Sequence, residues 1–416
     1  MIKFVDLFAG TGGIRIAFEQ ACEDLNIKKE CVFSSEIDKK AAASYELNFG
    51  DNPLSDITKV TELPDFDFLL AGFPCQAFSY AGKQHGFADE TKGTLFFDIL
   101  RILKSKKPKH LFLENVRGLT SHDKGNTFRI IKESLTELGY SIDFALLNSS
   151  EFGVPQNRVR IYIVGTLQEE AKLSIEDNLG AIDTNKYVGK DGSVCVEDIL
   201  EDNVDPKYYC SDIFQDQLKR VIGEDLTELH GYRFSDYRGG KTIHSWELGL
   251  KGDCSQEEAN FMNLLIANRR KKIFGTHQDG KSLTKEQILT FYDVQRFDAV
   301  TESLISKGYL KIIDDKYKPV CGNMSFEVFK FLDPKSISLT LTASDSNRLG
   351  IVQNNIARRL TPRECARLQG YPENYKLLDD DNAVYKQMGN GVSVPVIKHV
   401  IKDFFYQNAI LNKKCS

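Results

Sequence analysis

Six short apolar runs alternate with helical patterns over the first 168 residues, and that alternation admits few folds. The runs are Lys3–Phe8, Cys31–Glu36, Phe66–Ala71, His110–Leu113, Ile142–Leu147 and Val159–Val164. Helical stretches lie between several of them, at Ile14–Ala21, Asp38–Asn48, Thr94–Lys104 and Asn126–Leu138. Strands this short and apolar must be covered on both faces, and intervening helices supply the cover. An α/β fold with a mostly parallel sheet is therefore expected. In such sheets ligands bind beyond the carboxyl ends of the strands. The chemically distinctive residues fall there: Asp6 to Gly13, Glu36, Asp56, Gly72 to Ser79 and Glu114.

Beyond residue 170 the alternation fades. From Ser174 to His230 there are fourteen Asp/Glu against five Lys/Arg, a local net of −9, so the rest of a chain of net charge −5 carries about +4. A basic run, Arg269-Arg270-Lys271-Lys272, could meet phosphates there or simply form a solvated face. Thr284 with Gln287 three residues on reads as a capping box. A second helix at Phe297–Ser306, a stop at Gly308, a strand at Tyr309–Ile313 and a turn at Asp314-Asp315 follow, an order that resembles a small winged helix. Near the end, apolar residues at 396, 397, 400, 401, 404 and 405 mark an amphipathic helix over Val394–Ile410 that packs back on the N-terminal sheet. The expected organisation is residues 1–168 with 375–416 as one domain and 169–345 as an inserted smaller one. Within the latter, 284–331 is the winged-helix-like part, and 346–374 forms a hinge.

Composition narrows the classes. With 41% apolar and 27% charged residues the chain can bury real cores. It begins without the apolar run of a signal peptide and has no stretch near eighteen apolar residues, so no membrane span is expected. Nine scattered cysteines without a C-x-x-C pair fit neither a disulfide framework nor a zinc site, and a reducing cytoplasm is the expected home.

Asp6-Leu7-Phe8-Ala9-Gly10-Thr11-Gly12-Gly13 reads as a strand end, a glycine turn and a helix start. Nucleotide, flavin and S-adenosylmethionine sites all use such a turn, because glycine lets backbone approach a ligand closely. Glu36, at the end of the second strand, suits a ribose diol. Asp56 is either an acceptor for an adenine amine, with Ile57 beside the ring, or a turn and cap residue. Ala71-Gly72-Phe73-Pro74-Cys75-Gln76-Ala77-Phe78-Ser79 places a cysteine just after a strand, between proline and glutamine. Cysteines are often small buried hydrophobes, the default for Cys22 and Cys31, but this one sits in a shaped loop. Leu111-Phe112-Leu113-Glu114-Asn115-Val116 puts a carboxylate at a neighbouring strand tip, so thiol and carboxyl can face one small molecule.

With these motifs the chain resembles the DNA (cytosine-5) methyltransferases, particularly the bacterial enzymes that accompany restriction endonucleases. The resemblance spans residues 1 to about 165 and 335 to 397. It also includes Gln156-Asn157-Arg158-Val159-Arg160, Arg359 to Pro372 and Gln387-Met388-Gly389-Asn390-Gly391-Val392-Ser393. It implies a Rossmann-like S-adenosylmethionine-dependent methyltransferase fold with a mostly parallel seven-stranded sheet and an inserted target-recognition domain. The cofactor would be S-adenosyl-L-methionine, leaving as S-adenosyl-L-homocysteine, with Phe8, Gly10, Gly12, Gly13, Glu36, Ile37, Asp56, Ile57, Asn390 and Val392 around it. Cys75 would attack cytosine C6, Glu114 would hold N3 and the amino group, and Arg160, helped by Arg158, would orient the ring near O2. The partner would be double-stranded DNA with a short recognition sequence. The chain would act as a monomer in a bacterial cytoplasm, paired in function with an endonuclease. Three rivals remain: a family member acting on transfer RNA, a DNA-binding protein without activity, and a nicotinamide or flavin oxidoreductase. A recognition region of roughly 165 residues argues against the first, the set Cys75, Glu114 and Arg160 against the second, and Gly72 to Ser79 against the third.

Overall fold

The computed structural model describes residues 1–74, 95–175, 193–237, 241–276, 281–320 and 326–408. The chain forms two compact units: Met1–Leu200 with Lys335–Ser346 and Pro362–Ser416, and Glu201–Pro334 with Asn347–Thr361.

The large unit opens with β1 (Ile2–Leu7), α1 (Gly13–Asp24), β2 (Lys29–Ser35), α2 (Lys39–Phe49) and β3 (Phe68–Gly72). It continues with α3 (Leu95–Lys106), β4 (His110–Val116), α4 (Asn126–Glu137), β5 (Tyr140–Asn148) and β6 (Val159–Leu167). The sheet order is β2-β1-β3-β4-β6-β5, with β6 running antiparallel to both β4 and β5 and the other pairs parallel. β1 is buried along its length except at Lys3, as a strand covered on both faces must be. Asp38 starts α2 by accepting from the Lys40 and Ala41 amides, and Gly50, at φ 78°, ends it.

The sheet has six strands among the described residues rather than seven. On the β2 edge the further pairing seen among the described residues is one parallel bridge between Leu54 and Glu36. Pro53 offers a carbonyl but no N–H, and the chain enters a 3-10 turn at Ile57, so the pairing stops there.

The small unit holds α5 (Asp212–Ile222), β7 (Arg233–Phe234), β8 (Thr242–Ile243), α6 (Gln256–Asn268), α7 (Lys285–Ile288) and α8 (Val294–Ser306). Then come β9 (Leu310–Ile313), β10 (Lys316–Pro319), β11 (Lys330–Phe331), β12 (Leu349–Gln353) and β13 (Ile356–Arg359). One sheet runs β13-β12-β11-β7-β8, and β9–β10 is a separate hairpin. Two apolar clusters result, one about Phe234, Phe331 and Val352, the other about Phe261, Phe297 and Leu304. The basic run is not uniformly solvated: Arg269 is 4% exposed and its Nε donates to the Lys281 carbonyl, while Arg270, Lys271 and Lys272 are exposed.

The chain returns to the large unit as α9 (Pro362–Leu368), α10 (Asp381–Asn390) and α11 (Val394–Gln407). The expected apolar stripe of α11 is buried, and Phe405 meets Phe18 of α1 and Phe68 of β3. Residues from 409 on lie outside those described. Segments 335–346 and 362–374, read from sequence as the end of the insert and part of a hinge, pack within the large unit. Ser338 bridges to Gln156, and the Thr342–Ala343 peptide lies against Gly389. A Cβ at Gly389 would stand 2.3 Å from the Thr342 carbonyl carbon and 2.4 Å from the Ala343 nitrogen. Backbone on both sides cannot swing aside as a side chain would. Gly389→Ala is therefore expected to destabilise the protein by about 1–3 kcal/mol or more, seen as a lower denaturant midpoint. A midpoint equal to wild type would show that this approach is not held in solution.

Candidate active site

Along one edge of the large sheet, strand tips bring the distinctive residues into a row. β1 ends at Leu7, and Phe8 turns the chain with φ 55°. A phenylalanine in the left-handed region costs about 1–3 kcal/mol, so the turn must be held from outside. Thr11 does this: its hydroxyl meets the Tyr371 hydroxyl at 2.7 Å, and its carbonyl accepts from Tyr375 Oη at 2.8 Å. Sequence reasoning gave these tyrosines no part in the turn, because 360 residues separate Thr11 from Tyr371.

The glycines divide by purpose. A Cβ at Gly10 would meet nothing within 4 Å, so space is open beside it. At Gly12 the Phe49 ring already occupies that place, and at Gly13 the Tyr371 hydroxyl and the Val392 methyl do, at 2.6 and 2.7 Å. Val392 thus reaches the start of α1, while Asn390, at the end of α10, is exposed. Glu36 joins the turn to β2: one carboxylate oxygen accepts from the Gly10 amide and the other from the Asp38 amide, both at 2.7 Å. Each oxygen keeps a lone pair for a further donor. Ile37 beside it is 70% exposed, an apolar surface next to a carboxylate. Ile57 is buried. Asp56 caps the 3-10 turn, accepting from the Thr58 amide and hydroxyl, and those bonds hold its carboxyl below the usual range. The cap reading of Asp56 describes this geometry; its second oxygen stands 3.5 Å from Lys59 Nζ.

These features suit S-adenosylmethionine. Open space at Gly10, a diol acceptor at Glu36, an exposed apolar face at Ile37 and an α1 N-terminus with no side-chain cap match its backbone-contacting, ribose, adenine and carboxylate parts.

Two strands further along, Gly72 of β3 pairs with Glu114 of β4, and Val116 pairs with Arg160 of β6. Glu114 is 8% exposed, and Arg160 Nε stands 3.4 Å from its carboxylate. Burial pushes the Glu114 carboxyl above its ordinary value, with Arg160 and then Arg158 pulling it back. Asn115, the next residue, donates to the Phe73 carbonyl at 2.9 Å and so holds the backbone two residues before Cys75. Cys75 itself lies outside the described residues, with Gln76 to Ser79. Arg158 is placed differently from Arg160. Its guanidinium, 2% exposed, donates to the carbonyls of Leu341 and Gly391. Burial and the neighbouring Arg160 push its pKa down to about 9. Those bonds tie β6 to the segment carrying Val392, the work of a strut. Among the described residues no cluster could hold a metal ion, and no helix is long and apolar enough to cross a membrane.

Residues 2–405 match the family of C-5 cytosine-specific DNA methylases. Among curated relatives, the type II methyltransferase M.BanI of Aneurinibacillus aneurinilyticus is 59% identical over 413 residues, covering 98% of this chain and 96% of its own. M.HgiCI of Herpetosiphon aurantiacus is 55% identical, with 97% and 98% covered. Among solved structures, the Dnmt2 methyltransferase of S. pombe superposes with a TM-score of 0.53 at 18% identity, covering 98% of this chain and 99% of that one. A putative DNA modification methyltransferase encoded within an E. coli prophage gives 0.53 at 19%, with 99% and 100% covered; these two likenesses are of fold. The sheet, the inserted unit and the match along nearly the whole sequence lead to one conclusion: the chain belongs to the C-5 cytosine-specific DNA methylases and is an S-adenosylmethionine-dependent DNA (cytosine-5) methyltransferase.

Proposed function

We propose that Cys75 is the nucleophile, Glu114 the acid at the base and Arg160 the group that orients the ring and offsets its charge. The observation that carries this is the meeting of Glu114, Arg160 and Asn115 at the tips of β4 and β6, with Asn115 clamped to the loop that leads to Cys75. A cytosine must leave the duplex to reach such a site. The Cys75 thiolate then adds to C6, and Glu114 delivers a proton to N3 as charge moves onto the ring. That makes C5 enamine-like and able to take the methyl group, whose donor, once bound, supplies it on a sulfonium. The N3 proton returns to Glu114, and loss of the C5 proton to solvent expels the Cys75 sulfur and restores the ring. Arg158 acts as a positioning residue through Leu341 and Gly391. Phe8, Gly10, Glu36, Ile37, Asp56, Ile57, Asn390 and Val392 form the cofactor pocket, with Gly12 and Gly13 allowing its walls to close.

The small unit reads one short sequence in double-stranded DNA, and the enzyme works as a monomer in a bacterial cytoplasm beside a restriction endonuclease. Expression in a host without other methylases, followed by bisulfite mapping, should show 5-methylcytosine at one cytosine of a fixed word; unmodified DNA would refute the activity. The pocket has its own test. Removing the diol acceptor by Glu36→Ala should weaken S-adenosylmethionine binding by about 10- to 100-fold, as hydrogen bonds to a charged group imply. Titration calorimetry showing unchanged affinity would take the ribose away from Glu36.

A further inference from the structure

Residues 254–320 of the small unit surround a core of their own, with Phe261, Leu265, Leu283, Phe297, Leu304 and Tyr309 fully buried. Their order is α6, a bridge strand at Leu283, α7, α8 and the β9–β10 hairpin. Leu283 pairs antiparallel with Tyr317, so β10 lies between β9 and this one-residue bridge. Asp314 and Asp315, at φ 50° and 56°, make the two-residue turn that suits the twist of such a hairpin.

We infer that this segment is a winged-helix module that grips duplex DNA with its hairpin rather than with α8, laying Lys311, Lys316 and Lys318 along phosphates outside the recognised word. The inference rests on the reading of the small unit as the part that meets DNA. Side chains alternate across a strand, and the pairing assigns them to faces. Leu310 and Pro319 are opposite one another and buried; Lys311 opposes Lys318, and Ile313 opposes Lys316, on the other face. That face therefore carries three exposed lysines and an isoleucine that is 41% exposed. Like charges directly opposite destabilise a hairpin. Among the described residues, the ion pairs of this module engage Lys285, Arg296 and Lys307, and none engages these three lysines. A row of phosphates is the partner that relieves such a face.

The helix that a groove-binding module would insert is unsuited to that task. α8 presents Val294, Gln295, Asp298 and Glu302 to solvent, and its Arg296 is engaged by Glu257 at 2.8 Å. Asp298 holds Lys285 at 2.5 Å, and Glu302 adds a second carboxylate to the same helix. Carboxylates brought between two phosphate backbones would be repelled from both sides. On the hairpin the carboxylates, Asp314 and Asp315, are confined to the turn, and the paired positions of the lysine face carry none; phosphate contacts fix position without choosing sequence.

The test uses the full-length enzyme with Lys311→Gln, Lys316→Gln and Lys318→Gln combined, and Lys316→Gln alone. Binding constants are measured over a range of salt on a short cognate duplex and on one with longer flanks. A control neutralises Lys28, Lys104 and Lys107, exposed at the amino-terminal ends of β2 and β4 in the large sheet. The triple variant should lose about 0.9 of salt slope per phosphate contact, up to about 2.7 in all, and should gain nothing from longer flanks. Lys316→Gln should lose about a third of that. Single-turnover methylation at saturating DNA should stay within about two-fold, at the same word. An unchanged slope in the triple variant, or an equal fall in the control, overturns the wing assignment. Wild-type enzyme that fails to methylate duplex DNA at all would instead refute the underlying function.

Discussion

A Cys75→Ser protein is expected to transfer no measurable methyl group to DNA, a loss of about 10⁴-fold or more, while binding S-adenosylmethionine within about a few-fold of wild type. A serine hydroxyl is hardly ionised at neutral pH, whereas a thiol near its ordinary pKa is a few per cent thiolate and strongly nucleophilic. Four of the other cysteines make poor substitutes. Burial pushes the Cys31 and Cys210 thiols up to about 12 and Cys254 to about 11, and it raises Cys365 further. The covalent step can be trapped. With 5-fluorocytosine at the target there is no C5 proton to remove after methyl transfer, so the sulfur–C6 bond persists. Wild-type enzyme with cofactor should give a denaturation-resistant adduct, whose peptide map places the bond on Cys75, and the serine variant should give none. Tritiated-methyl incorporation by the serine variant, or an adduct mapped elsewhere, would remove Cys75 from the nucleophile's role.

The large sheet was legible because each of its strands is an apolar run cut off by a turn. β4 extends past its expected end at Leu113 through Glu114 to Val116, because pairing with β6 continues there. The reversal of β6 was not legible. Buried on both faces, it shows no alternation that would separate antiparallel from parallel. In the small unit, β7, β8 and β11 have two residues each, too few for any period to register. Around the candidate site, residue type alone drew notice to Glu36 and Glu114, since a carboxylate that closes an apolar strand stands out from the run before it. Interactions distant in sequence stayed hidden: Thr11 with Tyr371, Arg158 with Gly391, Asn115 with Phe73. Arg269 shows the opposite failure. A run of four basic residues says nothing of which one turns inward, and that depends on the Lys281 carbonyl twelve residues away.

Glu114→Gln should lower kcat by about 10²- to 10⁴-fold, the range that general acid catalysis supplies, with little change in the KM for DNA. A glutamine amide can still donate to N3 and accept from the cytosine amino group, so the base is held, but it has no proton to give. Since burial raises the Glu114 carboxyl, the wild-type rate should also fall as pH rises through that raised value, and this limb should vanish in the variant. Stability separates this role from a structural one. A carboxyl whose folded pKa lies above its unfolded value, about 4.3, contributes stability that is present at lower pH. That contribution is lost as pH rises through the folded value. The variant should therefore be at least as stable as wild type at neutral pH, with any advantage disappearing below about pH 4. Glu114→Ala, in contrast, leaves Arg160 without the carboxylate 3.4 Å away and the base without its anchor, so KM should rise as well. If the glutamine variant melted well below wild type at neutral pH, Glu114 would be a structural partner of Arg160 first. If it turned over at the wild-type rate, the proton at N3 would have to come from elsewhere.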